Sequence, residues 1–101
     1  MTQATDSTHW HLYILRCADD SLYTGISPDV ARRLAVHRSG KGSRYLRGRS
    51  PLTLIASFEI GDRSAATRAE MAFKRLTKHR KESLLLDQTA LRCFLDTVTI
   101  S

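Results

Sequence analysis

The chain has 101 residues, of which 42% are hydrophobic and 26% charged, with a formal net charge of +6 and a pI near 9.9. This length predicts one small domain with a single core, and the composition excludes an intrinsically disordered protein. No apolar run approaches the roughly 20 residues that span a bilayer, and the polar start MTQATDSTH is unlike a secretion signal, so we expect a cytoplasmic protein with no membrane partner.

The first two predicted elements form a hairpin. In WHLYILRC, residues 10–17, apolar residues occupy both alternating faces, which predicts a strand buried on both sides. A polar turn follows, and LYTGIS, residues 22–27, predicts the returning strand. Tyr23 and Gly25 share one face of that strand, and Tyr13 shares it as well if the hairpin pairs residues of like parity.

A helix is predicted to leave the second strand directly. Ser27 supplies an N-cap hydroxyl, a proline and an aspartate follow in the first turn, and the helix should run to about Ser39 before a glycine ends it. Arg33 and His37 are four residues apart and therefore lie on one side of this helix.

The helix and the loop that follows it form a positively charged patch. No acidic residue occurs between Val30 and Phe58, and the loop SGKGSRYLRGRS combines glycines with arginines that can reach phosphates. Tyr45 in this loop either stacks on a nucleic-acid base or anchors the loop to the core. The patch and the net charge favour nucleic acid, DNA above all, as the partner. The predicted nucleic-acid-binding residues are Arg32, Arg38, Lys41, Arg44, Arg47, Arg49 and, on a later helix, Lys74.

The rest of the chain predicts one more strand and further helices. PLTLIASFEI, residues 51–60, alternates like a strand, and a helix follows with Glu70 on the flank of its apolar face. Thr77 is positioned to cap a further turn or helix, and QTALRCFLDTV predicts a last short helix. The fold is therefore predicted to be α+β, a small three-stranded antiparallel sheet flanked by helices in the order ββαβα plus a C-terminal helix. We expect a flexible segment over residues 1–9 and a single domain over 10–97. The predicted apolar face of the second helix is Ala65, Ala69, Ala72, Phe73 and Leu76.

Cysteine and histidine spacing predicts neither a disulfide framework nor a zinc site. Cys17 and Cys93 lie far apart without paired ligands, so we interpret both as reduced packing residues. His9 and His11 flank Trp10 but lack a third ligand, and they are left out of the site.

Together these positions resemble the GIY-YIG nuclease family, and most closely its small stand-alone bacterial branch (YhbQ-like). His11-Leu12-Tyr13 stands where that family has its GIY, and Tyr23-Thr24-Gly25 stands for its YIG. The resemblance covers roughly residues 10–80. The remaining positions that carry it, in chain order, are Arg33, His37 and Glu70.

The resemblance implies metal-dependent hydrolysis of DNA phosphodiester bonds with low sequence specificity, and we expect a role in repair or turnover. It implies that Tyr13 is the general base, with a pKa lowered by nearby cations, and that Tyr23 supports or shares the proton transfer. Arg33 would assist and hold phosphate. His37 would bind phosphate or orient Tyr13, and Gly25 would allow a close approach. By the same resemblance, Glu70 holds a single Mg²⁺, or Mn²⁺.

The chain departs from the family pattern in two places. His11 replaces the first glycine of the name motif. Many members also carry an asparagine after the metal-binding glutamate, and this chain has none; Thr77, Lys78 or a water is the predicted substitute. We expect no appended targeting module, and a partner protein is one way to supply a site preference.

Other interpretations remain open at this point. Taken singly, each of these residues suits a structural role, and Glu70 suits an ordinary ion pair with Lys74. The main alternative function is a nucleic-acid-binding module of the same fold with weak or no catalysis. A third is a protein-interaction domain that does not bind nucleic acid.

Overall fold

The computed structural model of the protein describes residues 9–99. It confirms an α+β architecture with a three-stranded sheet. The predicted segment 1–9 lies outside the described residues except for His9, and the limits 10–97 stay a prediction. No helix within 9–99 is long and apolar enough to cross a membrane. The elements are β1 (Trp10–Arg16), β2 (Leu22–Ser27), α1 (Val30–Arg38), a short 3-10 helix (Arg44–Leu46), β3 (Thr53–Gly61), α2 (Arg63–Lys74), α3 (Lys78–Leu85) and α4 (Gln88–Thr99).

The sheet is antiparallel in the order β2-β1-β3, so β1 is the central strand. Leu12 and Ile14 face a core formed with α2, α3 and α4, and Tyr13 and Leu15 face a second core under α1 and the loop after it. All four side chains are buried, which confirms the prediction from the unbroken apolar run. The register pairs Tyr13 with Gly25, as like parity requires.

The helix α1 begins two residues later than predicted. Asp29, not Ser27, is its N-cap, and its carboxylate accepts a hydrogen bond from the Arg32 amide at 3.1 Å. Ser27 still pairs with His11 in the sheet, so the chain cannot start a helix there. The Ser27 hydroxyl instead accepts from the Asp29 amide at 3.0 Å and supports the cap.

The C-terminal helices confirm the predicted caps and correct two side-chain assignments. Thr77 caps α3, and its hydroxyl accepts from the Arg80 amide at 3.1 Å. The buried face of α2 is Ala66, Ala69 and Phe73, a spacing of three and four that turns Ala65 toward its edge. Cys93 is exposed on α4, so the packing role predicted for it is wrong. Cys17 is buried as expected.

An ion pair ties the end of β1 to α3. The Arg16 guanidinium donates to both Glu82 carboxylate oxygens, at 2.5 and 2.7 Å, and both side chains are about two-thirds shielded from water. The hydrogen bonds from Arg16 lower the pKa of the Glu82 carboxyl. This two-point contact holds the hairpin against the helical layer.

We expect Glu82→Gln to lower the free energy of unfolding by about 1 kcal/mol at pH 7, or the melting temperature by about 4–8 °C. Because folding lowers the pKa of Glu82, its contribution is full above the unfolded pKa and is lost as the pH falls through the folded one. Thermal unfolding of both proteins should therefore converge toward pH 3. Asp96→Asn, which removes an exposed pair with Arg92, is the control with little expected change. An equal gap between wild type and Glu82→Gln at pH 3 and 7 would contradict the assignment.

Candidate active site

Three of the predicted site residues meet between the sheet and α1. The ring centres of Tyr13 and Tyr23 are 6.3 Å apart, and His37 lies 6.0 Å from Tyr13 and 5.4 Å from Tyr23. Tyr13 and His37 are buried, and Tyr23 is half-buried. The strand parity and the helical spacing thus bring together side chains from β1, β2 and α1.

A hydrogen-bond chain fixes the orientation of His37. The Ser43 amide donates to His37 Nδ1 at 3.3 Å, and His37 Nε2 lies 2.8 Å from the Tyr13 hydroxyl oxygen. Because Nδ1 accepts, the proton of the neutral ring is on Nε2, and Nε2–H donates to the phenol. Sequence reasoning missed Ser43, since a backbone donor leaves no signature in the residue type.

Two glycines make room for the rings of Tyr13 and His37, because neither has a side chain. A β-carbon at Gly25 would lie 2.5 Å from the Tyr13 hydroxyl, and one at Gly42 would lie 2.2 Å from His37 Nδ1. The group that approaches the Gly25 backbone closely in this structure is therefore the Tyr13 ring. Gly42 was also missed, although the GKG of the basic loop is a signal for a backbone that passes close to another group.

The electrostatics of the pair differ from the prediction. Burial, followed by the neighbouring Tyr23 phenol, raises the pKa of Tyr13 to about 12, whereas the sequence predicted a lowered value. The expected cation is present, because Arg33 does act to lower the pKa of Tyr13, but burial outweighs it. Burial and the Arg33 charge lower the pKa of His37, so its ring is neutral at pH 7.

Arg33 stands at the exposed mouth of this pair. Its neighbours Ser27 and Arg32 line an open depression of about 330 Å³ with it. A phosphate in that depression would meet the guanidinium groups of Arg32 and Arg33, and also the Asp29 carboxylate that lines it. The contact of Arg33 with phosphate stays a prediction.

Glu70 lies on α2, which packs against β2. Its side chain is 20% exposed, as predicted for a sheltered carboxylate, and it pairs with Lys74 at 3.1 Å. Lys74 also lines a second open depression, of about 290 Å³, with Tyr23 and Thr24. Within residues 9–99, no group of three or more His, Cys, Asp or Glu side chains is placed to hold a metal ion.

The predicted nucleic-acid-binding residues divide into two groups. Arg38 donates to the Leu52 carbonyl at 2.9 Å, and Arg49 pairs with Asp19, so both have structural partners. Lys74 pairs with Glu70. The second group is exposed and has no side-chain hydrogen bond or ion pair to the described part of the chain. Its members are Arg32, Lys41, Arg44 and Arg47.

Tyr45 follows the second of its two predicted alternatives. Its ring is stacked on Tyr23 at 5.9 Å between centres, and the Arg49 guanidinium lies 4.1 Å from its centre. These contacts anchor the loop against the hairpin. Base stacking on this ring would have to compete with both of them.

Comparison with known proteins gives a consistent result. Residues 9–83 match the family model described as the GIY-YIG catalytic domain. A UPF0213 protein of Yersinia pestis (strain Pestoides F) is 53% identical over 90 residues, covering 87% of this chain and 95% of that protein. A UPF0213 protein of Yersinia pseudotuberculosis serotype O:3 is 55% identical over 82 residues, covering 81% and 86%.

Two solution NMR structures are also similar. The UPF0213 protein BH0048 of Bacillus halodurans is 43% identical with a TM-score of 0.51, covering 76% of this chain and 82% of that one. The protein EF2693 of E. faecalis is 38% identical with a TM-score of 0.54, covering 78% and 85%. The family match spans the strands β1 and β2 and the helices α1 and α2, which carry the predicted site. This chain therefore belongs to the GIY-YIG family, which indicates a nuclease.

Proposed function

We propose that this protein is a metal-dependent nuclease that hydrolyses DNA phosphodiester bonds with low intrinsic sequence specificity, and that it serves DNA repair or turnover. The observation that carries this proposal is the buried contact of 2.8 Å between Tyr13 and His37, at the edge of a basic surface. A buried phenol that receives a hydrogen bond from an oriented imidazole is suited to proton transfer. Packing alone does not require a polar pair at this position.

In this proposal Tyr13 takes the proton of the attacking water. His37 donates Nε2–H to the Tyr13 oxygen, so it stabilises the phenolate that must form before the proton is taken. Arg33 supports the same ionisation through its charge and holds the phosphate in the depression beside it. Tyr23 packs against both rings and limits the access of bulk water to them.

The carboxylate of Glu70 suits a magnesium site that the substrate completes. Mg²⁺ is commonly held by one or two carboxylates, several waters and substrate phosphates rather than by a full protein cage. Glu70 is a sheltered carboxylate whose only ion-pair partner within 9–99 is the half-exposed Lys74, so it fits that pattern. When bound, Mg²⁺ or Mn²⁺ would polarise the phosphate and stabilise the leaving oxygen. Of the predicted substitutes for the missing asparagine, the Thr77 hydroxyl already caps α3 and the Lys78 ammonium already donates to the Asp20 carbonyl at 2.7 Å, which leaves a water as the third.

Cleavage of labelled single-stranded, duplex and branched DNA, with Mg²⁺, Mn²⁺ or EDTA, tests the proposal. We expect cutting in both metals and none in EDTA, on at least one of these structures. Cleavage of RNA with the same sequences shows whether the enzyme distinguishes ribose from deoxyribose. Salt-sensitive binding without cutting under any of these conditions would favour the binding module instead, and the absence of binding would favour a protein-interaction domain.

The pH dependence should report the Tyr13 phenol. With a pKa of about 12, about one Tyr13 in 10⁵ is ionised at pH 7 in the free protein. We therefore expect kcat/KM to rise about tenfold for each pH unit between 7 and 9, without a plateau. Tyr13→Phe is the control, because its residual rate should lack this dependence on the phenol. A kcat/KM that is already level between pH 7 and 9 would instead identify His37, whose pKa is lowered, as the base.

A further inference from the structure

Arg49 is held by the protein itself rather than presented to solvent. Its guanidinium pairs with the Asp19 carboxylate, its Nε donates to the Tyr45 carbonyl at 2.6 Å, and it covers the Tyr45 ring at 4.1 Å. Its own carbonyl accepts a hydrogen bond from the Ala18 amide at 2.8 Å. A phosphate would have to break several of these contacts at once to bind Arg49.

These contacts join the basic loop to the turn of the catalytic hairpin. Ala18 and Asp19 belong to the turn between β1 and β2, the two strands that carry Tyr13 and Tyr23. Arg49 therefore closes the loop over the same hairpin that supplies both tyrosines. The Asp19 carboxylate is stabilised in its charged form, since hydrogen bonds from Ser21, and then the Arg49 charge, lower its pKa.

The loop reaches the site through Tyr45. Its ring stacks on the ring of Tyr23, with 28° between the planes, and Tyr23 meets His37 edge-on at 5.4 Å. The side chain of Tyr23 therefore lies between Tyr45 on one side and the buried Tyr13 and His37 on the other. Tyr45 is 43% exposed, so it is a surface residue that contacts the site from outside the core.

We infer that Tyr45 and Arg49, held by Asp19, are positioning residues that fix Tyr23 against the Tyr13–His37 pair, rather than residues that contact DNA. This inference rests on the proposed nuclease function for its kinetic test. It assigns the end of the basic loop to the catalytic site and leaves the contact with phosphate to the exposed Lys41, Arg44 and Arg47.

The kinetic test compares Tyr45→Ala and Arg49→Ala with Arg47→Ala as the charge-matched control. We expect the first two to lower kcat about 10- to 100-fold with KM changed by less than about threefold, because a displaced group costs rate rather than affinity. Tyr45→Phe should restore kcat to within about twofold, since stacking does not use the hydroxyl. Arg47→Ala should raise KM and leave kcat unchanged. If Arg49→Ala behaves like Arg47→Ala, or if Tyr45→Phe fails to restore kcat, the inference is wrong.

A second readout needs no activity. In NMR spectra of the DNA-free protein, Tyr45→Ala should move the ring resonances of His37, which Tyr23 separates from Tyr45, whereas Tyr45→Phe and Arg47→Ala should leave them in place. Unmoved resonances in a folded Tyr45→Ala protein would overturn the inference even if the wild type cuts DNA. Moved resonances in a protein that never cuts DNA would support the positioning contact while the proposed function fails.

Discussion

Tyr13→Phe is expected to slow cleavage by about 10²- to 10⁴-fold while the fold and DNA binding persist. The substitution removes a single oxygen from a side chain that is 1% exposed, so the shape of the core hardly changes. What is lost is the group that accepts the proton. His37 Nε2–H also loses its acceptor, and an unpaired buried donor costs about 1–3 kcal/mol of stability.

The measurement is single-turnover cleavage of the DNA structure that the wild type prefers, at saturating protein. Tyr45→Phe is the matched control, because it removes a phenol oxygen from the same aromatic cluster without touching the Tyr13–His37 contact. Melting temperatures recorded on the same samples separate catalysis from unfolding. A Tyr13→Phe protein that cuts at the wild-type rate would exclude Tyr13 as the general base.

Glu70→Ala is expected to slow cleavage by at least about 10³-fold, to a small residual rate, and to spare or tighten DNA binding. The proposed metal would lose its carboxylate, whereas the surface would lose a negative charge and Lys74 would lose its partner. Both changes favour a polyanion. The nuclease and the binding module therefore predict different behaviour for the same variant, since Glu70 has little effect in a module that only binds.

Binding should be measured by fluorescence anisotropy in EDTA, and cleavage in Mg²⁺ on the same DNA. Asp96→Ala, which removes an exposed carboxylate from α4, is the control for the general effect of charge. Any cleavage that survives unchanged in Glu70→Ala would show that the metal site has been assigned to the wrong residue. Loss of both cleavage and binding would instead point to a damaged fold.

The sequence carries the information that comes from periodicity. Strand alternation was sufficient to place Tyr23 and Gly25 on one face, and Tyr13 joins them because this hairpin pairs residues of like parity, the condition that the prediction set. The four-residue spacing of Arg33 and His37 was likewise sufficient to place them on one side of α1. The strands and helices were located from the same periodicity. Thr77 was recognised as a cap because a hydroxyl side chain just before a helix is a local sequence signal.

What the sequence could not supply depends on tertiary contacts. The pKa of Tyr13 was predicted in the wrong direction, since burial outweighs the nearby cation and burial is a property of the packed chain. Ser43 acts through its backbone amide, which any residue but proline provides. The partners of Arg38 and Arg49 lie 14 and 30 residues away, so nothing local separates them from the exposed Arg47.

The central claim is that Tyr13 and Glu70 act together in one catalytic site, and the double variant tests it most directly. Single-turnover cleavage in Mg²⁺ should be measured for the wild type, Tyr13→Phe, Glu70→Ala and the two combined. Residues that act as a unit give strongly non-additive losses, so we predict that the double variant is no slower than the slower single one. Losses that multiply in the double variant, or a wild type that cuts no DNA, would contradict the account.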